Sequence, residues 1–179
     1  MTFAMDAHFP EAKRMPGSEW LKDHPQLLER AYAITKKVVT ATYPALKRLN
    51  PTLANKLMVM GEEITKGYAF NCQMCGQCIL HSTGMTCPMN CPKNLRNGPC
   101  GGVRANGHCE VIPEMKCVWV QAWERSQHMT IYAKEIQVIQ PPVNHTLDGT
   151  SAWANMVDGT DVKTPKGWAS QTSNITSDS

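Results

Sequence analysis

The sequence contains no long hydrophobic run: no stretch of about eighteen apolar residues occurs, so we expect no membrane span. Residues 1–14 include acidic side chains and no apolar core, so we expect no secretory signal peptide. The glycine-rich motifs that cradle nucleotide phosphates are absent. A net charge of +3 over 179 residues is too small to indicate a nucleic-acid-binding surface. These absences favour a cytoplasmic protein with neither a membrane nor a nucleic acid as partner.

Cysteine is missing from most of the chain and is concentrated in one stretch. All eight cysteines lie between Asn71 and Trp119. They are Cys72, Cys75, Cys78, Cys87, Cys91, Cys100, Cys109 and Cys117. Because cytoplasmic thiols stay reduced, grouped cysteines there indicate metal ligands rather than disulfide bonds. We therefore predict that all eight bind metal, as the ligands of a metal-containing cofactor.

The spacing of the cysteines favours iron–sulfur clusters and leaves zinc open. Cys72-x-x-Cys75-x-x-Cys78 matches the opening of the bacterial ferredoxin run, and Cys-Pro pairs follow at Cys87 and Cys91. Eight thiolates suffice for two [4Fe–4S] clusters or for two four-cysteine zinc sites. A tetrahedral zinc ion seldom takes three ligands so closely spaced. We predict two [4Fe–4S] clusters, with two Zn ions as the alternative, and expect Cys72, Cys75 and Cys78 to share a site with one distant thiolate.

Residues between the cysteines suit a sulfur-rich centre. Gly76 and the loop at residues 97–102 permit tight turns that bring backbone N–H groups close to sulfur. Lys93, Arg96 and Arg104 can offset the negative charge of thiolates. The alternative for these three cations is that they are simply solvated.

The segment before the cysteines has helical periodicity. Apolar residues at helical spacing predict a helix from Pro25 to about Tyr43, which Pro44 should end. A short helix is predicted at residues 45–49, and a third from Thr52 to about Lys66, capped by Gly67. The apolar positions that define these helices are Leu27, Leu28, Ala31, Tyr32, Ile34, Val38 and Val39, then Leu53, Leu57, Met60 and Ile64. Glu62 and Lys66 lie one turn apart, and we expect a weak pair there.

The predicted fold class is a small α-helical layer plus an irregular, metal-organised cysteine-rich loop domain with little regular β structure. Four regions are expected: a loose N-terminal arm (1–24), a helical segment (25–67), a cysteine-rich metal-binding domain (68–128) and an extended C-terminal tail or strap (129–179). A helix with Trp119 and Trp123 on one face should follow the last cysteine. Residues 147–157 should pack as a strap on this protein or on a partner, because Trp153 is costly to leave in water.

The cysteine pattern carries a family resemblance. CxxCGQCxLxxTGxxCPxxCPKxLRNGPCGG, followed by CE and CVW, resembles the methylenetetrahydrofolate reductase C-terminal domain family and its MetV-like cysteine-rich subunits, densely over residues 68–125. The resemblance implies that the cysteines carry iron–sulfur clusters that pass electrons to a flavin on a partner, within one-carbon (folate) metabolism. That partner would be a methylenetetrahydrofolate reductase-like TIM-barrel protein, and a ferredoxin-type protein would be a suitable electron donor.

The chain itself is not expected to be catalytic alone. A TIM barrel needs about 250 residues, and no nucleophile–base constellation is evident. An electron-transfer or accessory subunit of the reductase is the leading hypothesis. A zinc-stapled docking module for a reductase or a corrinoid methyltransferase is the alternative, and a zinc-ribbon nucleic-acid binder is disfavoured by the modest charge.

Overall fold

The computed structural model describes residues 23–163, so the predictions for most of the N-terminal arm and for the end of the tail lie outside the described residues. Within them the chain is mostly helical and contains no β-strand. The α-helices are α1 (Pro25–Leu49), α2 (Pro51–Phe70), α3 (Val118–Ser126) and α4 (Ala152–Val157). The cysteine-rich stretch between α2 and α3 is irregular, with short 3₁₀ turns and one isolated antiparallel bridge between His108 and Lys116.

Helix α1 continues through Pro44, so the prediction of two separate helices is wrong. Proline lacks an N–H donor, and its place inside a helix costs roughly 3 kcal/mol. Packing on both sides of Pro44 outweighs this cost. Tyr43 is only 1% exposed, its hydroxyl donates to Asn55 Oδ1 at 2.6 Å, and Leu46 packs against the same small core. The long-range contacts of the flanking turns therefore hold the helix together.

Helix α2 ends at Phe70, one turn beyond the predicted end near Lys66. The predicted cap, Gly67, lies inside the helix, and Asn71 is the actual C-cap with φ of +51°. Asparagine tolerates this left-handed conformation better than most residues, so it can end a helix as glycine does. The backbone N–H of Cys72 still donates to Lys66 O at 3.3 Å. As a result, α2 leads directly into the first cysteine.

Most of the large apolar residues that predicted the two long helices lie outside the core of the described chain. On α2 the predicted apolar face is exposed, with values from 41% to 65% for Leu53, Leu57, Met60 and Ile64. On α1, Leu27, Ile34 and Val38 are likewise exposed, whereas Leu28 and Tyr32 are buried. The buried positions of α2 are Ala54, Glu62 and Lys66. In this part of the chain each helix is also too short or too polar to cross a bilayer.

The main core lies between α1, the cysteine-rich segment and α4. It joins Leu28, Tyr32, Leu80, Met85, Cys87, Met89, Met129 and Trp153. The rings of Tyr32 and Trp153 lie 4.8 Å apart. Residues 147–157, left open as a strap on this protein or on a partner, therefore pack on this chain. Of the two tryptophans predicted on one face of α3, Trp119 is buried and Trp123 is 52% exposed.

A buried carboxylate ties α1 to the segment after α3. Glu29 is fully buried, and its carboxylate accepts four hydrogen bonds, from the N–H and hydroxyl of Thr130 and from the N–H groups of Ile131 and Tyr132. Burial on its own raises the pKa of Glu29, but these hydrogen bonds outweigh it and hold the pKa below the ordinary value of 4.5. The ionised form is therefore the one that stabilises the fold.

We expect Glu29→Gln to lower the free energy of unfolding by about 2–3 kcal/mol at pH 7, since an amide cannot accept all four bonds. A lowered folded-state pKa means that the stabilisation is present above the unfolded pKa and is lost as pH falls through the folded pKa. The gap between wild type and variant should therefore narrow at acidic pH. Urea denaturation at several pH values measures it, with exposed Glu63→Gln as control. A gap that widens on acidification would contradict the assignment.

Candidate metal centre

Four of the eight predicted ligands line one cavity. They are Cys72, Cys75, Cys78 and Cys87. Cys72 follows α2 directly, Cys75 and Cys78 precede the 3₁₀ turn Leu80–Ser82, and Cys87 precedes the 3₁₀ turn Pro88–Asn90. The structure thus brings the three closely spaced cysteines together and places Cys87 as the fourth, distant thiol.

The loop that carries the first three cysteines is held in a tight conformation. Met74 and Gly76 both have positive φ, of +48° and +67°. A Cβ added at Gly76 would lie 2.3 Å from Leu147 O, so only glycine fits there. The strap fixes this loop from outside: Gly149 N donates to Met74 O at 2.7 Å, and Asn155 Nδ2 donates to Gly76 O at 2.9 Å. The C-terminal strap therefore shapes the cysteine loop.

Backbone N–H groups point at three of the four sulfurs. Met74 N donates to Cys72 Sγ at 3.4 Å, and the N–H groups of Leu80 and Met89 act to lower the pKa of the Cys78 and Cys87 thiols. In each case the donor lies two residues after the cysteine. Because such hydrogen bonds favour the charged form of the acceptor, this arrangement suits thiolates.

Burial opposes ionisation of the same thiols. It raises the pKa of Cys72 to about 11 and that of Cys87 to about 12, and it also raises the pKa of Cys78. Repulsion from the neighbouring thiolates adds to each shift. Four thiolates in this cavity therefore need positive charge, from the protein or from a bound cation.

Two buried cations supply part of that charge. Lys66 and Arg96 are 6% and 7% exposed. Burial lowers the pKa of Lys66, but the thiols of Cys78 and Cys72 and the carboxylate of Glu62 outweigh it, so the pKa of Lys66 lies above its ordinary value. Burial also lowers the pKa of Arg96, and the cysteine thiols facing it act in the opposite direction. Lys66 thus lines the four-cysteine cavity, and Arg96 lies next to it, bonded to the lining residue Gln77.

Arg96 has unused hydrogen-bonding capacity at this site. Its Nη2 donates to Gln77 O at 3.0 Å. Its Nε and Nη1 are buried and have no hydrogen-bond partner in the described part of the chain. Buried donors without a partner are costly, so they indicate a missing acceptor. A thiolate-bound group in the adjacent cavity would supply such an acceptor.

The other four cysteines lie on loop segments that contact one another. They are Cys91, Cys100, Cys109 and Cys117. Cys100 Sγ lies 3.7 Å from Glu110 Oε1, and Glu110 also forms an ion pair with Lys93. Around the bridge between His108 and Lys116, Cys109 N donates a hydrogen bond to Met115 O and Cys117 N donates one to Gly107 O, both at 2.9 Å. The structure thus gathers the segments that carry this set.

A family comparison agrees with the cysteine pattern. The model of a family described as methylene-tetrahydrofolate reductase C terminal matches residues 52–146, more than half of the chain. The chain belongs to this family. No curated protein and no solved structure matches the chain. The family match contains all eight cysteines, whereas α1 and α4 lie outside it.

The cations of the methylene-tetrahydrofolate reductase C-terminal domain were only partly found from sequence. Of the three candidates, Arg96 lies next to the cavity and donates to O of the lining residue Gln77. Lys93 instead pairs with Glu110, and Arg104 Nε donates to Cys109 O at 3.2 Å. Lys66 was missed as part of the site, because its spacing from Glu62 resembles an ordinary surface pair. The available signal was its position in the penultimate turn of a helix that ends two residues before Cys72.

The chemistry of the side chains and N–H groups around the cavity fits a thiolate-bound metal centre. Soft sulfur donors, N–H groups aimed at them, buried cations and orphaned guanidinium donors all favour an anionic sulfur-containing group. No set of three or more His, Cys, Asp or Glu side chains within residues 23–163 is arranged to hold a metal ion. The assignment of the eight cysteines as ligands accordingly stays a prediction.

Proposed function

We propose that this chain is an iron–sulfur accessory subunit of a methylenetetrahydrofolate reductase-type flavoprotein. The observation that carries the proposal is the cavity lined by Cys72, Cys75, Cys78 and Cys87 and flanked by buried Lys66 and Arg96. Membership of the methylene-tetrahydrofolate reductase C-terminal family supports the assignment to folate chemistry. Each set of four thiols is the number that one [4Fe–4S] cluster requires.

The residues around the cavity each have a distinct role in this proposal. When bound, an iron–sulfur group supplies single-electron transfer. The cysteines hold it, backbone N–H groups donate to sulfur, and Lys66 and Arg96 offset the negative charge. Met74, Leu80 and Met89 line the cavity with apolar atoms that keep water away from it.

The flavin would belong to a partner protein. The chain carries no glycine-rich phosphate-binding motif, and its family name refers to one part of a reductase. Exposed apolar side chains along α2 supply a surface on which a partner can pack. We expect a tagged chain to co-purify with a flavin-containing barrel protein under gentle anaerobic conditions. Pulldowns that return only the tagged chain would contradict the subunit role.

Metal analysis tests the cofactor directly. Anaerobically purified protein should contain about eight iron and eight acid-labile sulfide per chain, with a brown colour that dithionite bleaches. About two zinc, no sulfide and no colour would instead support the zinc-stapled docking module.

Removal of the metal should also loosen the cysteine-rich stretch, because a structural metal contributes on the order of 10 kcal/mol to folding. Limited proteolysis between residues 68 and 128 before and after chelation measures this, and an unchanged digestion pattern would contradict it.

A further inference from the structure

Three buried charged side chains lie at or beside the four-cysteine cavity. Arg96 lies beside it, with its Nη2 donating to O of the lining residue Gln77. Lys66 is the second, with its ammonium group 2.9 Å from Glu62 Oε2 and 4.6 Å from the centre of the Trp153 ring. Glu62 is 4% exposed and is the third. Beyond these, Arg96 also acts on Asp161: burial raises the pKa of Asp161, and the positive charge of Arg96 opposes that rise.

We infer that Arg96 and the Lys66–Glu62 pair set the reduction potential of the group held by Cys72, Cys75, Cys78 and Cys87. This inference rests on the proposed function. Arg96 does so through a fixed positive charge next to the cavity, carried by a guanidinium whose Nε and Nη1 have no hydrogen-bond partner among the described residues. Lys66 and Glu62 do so as a pair in which the carboxylate moderates the effect of the ammonium group.

The sign of each effect follows from charge. Reduction adds one electron to the bound group, so a nearby positive charge stabilises the reduced state and a nearby negative charge stabilises the oxidised state. Loss of the Arg96 charge should therefore lower the reduction potential. Loss of the Glu62 charge should raise it, because Lys66 is then less neutralised. General damage to the fold gives no reason for shifts of opposite sign.

The test is an anaerobic redox titration of the full-length chain, followed by visible absorbance and electron paramagnetic resonance. Arg96→Gln should lower the potential of one redox transition. At a fixed applied potential the oxidised-to-reduced ratio should rise at least about tenfold, which corresponds to about 59 mV for one electron. Glu62→Gln should shift the same transition in the opposite direction. Arg96→Lys keeps the charge and should recover most of the wild-type potential. Arg48→Gln removes an exposed cation from the last turn of α1 and is the control.

Each outcome decides between the two proposals. Opposite shifts of one transition, with the control unchanged, support the inference. If Arg96→Gln does not retain iron, the inference is tested by the other two variants: a raised potential in Glu62→Gln and a near-wild-type potential in Arg96→Lys support it. Wild-type potentials in iron-loaded variants would overturn the inference and leave the proposed function intact. A wild-type protein without iron or a redox transition would overturn the proposed function, and with it this inference.

Discussion

Replacement of Cys87 by alanine is expected to remove about half of the iron and sulfide from the protein, and to leave the other half in place. The reason is the grouping seen in the structure. Cys87 lines the same cavity as the three closely spaced cysteines, whereas Cys91, in the next Cys-Pro pair, is not among the residues that line it. Both sulfurs belong to buried residues of similar exposure, 7% and 8%, so burial alone does not distinguish them.

Double variants make this grouping testable without a structure of the loaded protein. Cys72→Ala with Cys87→Ala should lose no more metal than either single variant, because both changes remove ligands from one site. Cys72→Ala with Cys91→Ala should lose nearly all metal, because each change disables a different site. Iron and sulfide analysis of the purified variants measures both. If the first double variant is stripped of metal while the second keeps half, the assignment of Cys87 is wrong and Cys91 takes its place.

Glu62→Ala is expected to destabilise the fold by roughly 3–5 kcal/mol, the range for breaking a buried ion pair by removing one partner. Glu62 is the acceptor for four donors. Lys66, in the penultimate turn of α2, donates to its carboxylate. The other three donors lie at the start of α4: Ser151 Oγ at 2.5 Å, Ala152 N at 3.3 Å and Trp153 N at 2.8 Å. The change leaves the ammonium group of Lys66 buried without its carboxylate and leaves the first N–H groups of α4 without an acceptor.

The loss should be concentrated in α4 and the cysteine loop that α4 holds. Urea denaturation measures the overall change, and hydrogen exchange locates it at residues 151–157. Glu63→Ala is the matched control, since Glu63 is the next residue of the same helix and is exposed. We expect the control to change stability by less than about 0.5 kcal/mol. Equal stability of the two variants would show that the buried network around Glu62 adds nothing to the fold.

Local sequence patterns were enough to predict part of the fold and the family. Helical spacing before the cysteines and prolines at helix starts predicted an α-helical layer beside an irregular cysteine-rich segment with little β structure. The structure confirms the helices, and the described residues contain no β-strand. Cysteine spacing and the flanking residues were sufficient for the family, which the family match confirms. These features depend on neighbours within a few positions, so they can be read without the fold.

The fold decided features that depend on distant residues. Pro44 stays inside α1 because Tyr43 packs against residues of α2 and α4. Asn71, rather than Gly67, ends α2. The exposure of the apolar stripe on α2 could not be predicted either. Helical periodicity identifies an apolar face, but it does not show whether that face packs within the chain.

The sequence by itself determined the helical class, the family and the set of eight candidate ligands. Only the tertiary structure placed Cys87 with the first three cysteines, brought Lys66 into the lining of that cavity and set Arg96 beside it. The physical reason is that burial and charge pairing arise between segments far apart in the chain. Glu62 meets Ser151 across 89 positions and Glu29 meets Thr130 across 101, so both glutamates resemble ordinary surface residues until the chain is folded.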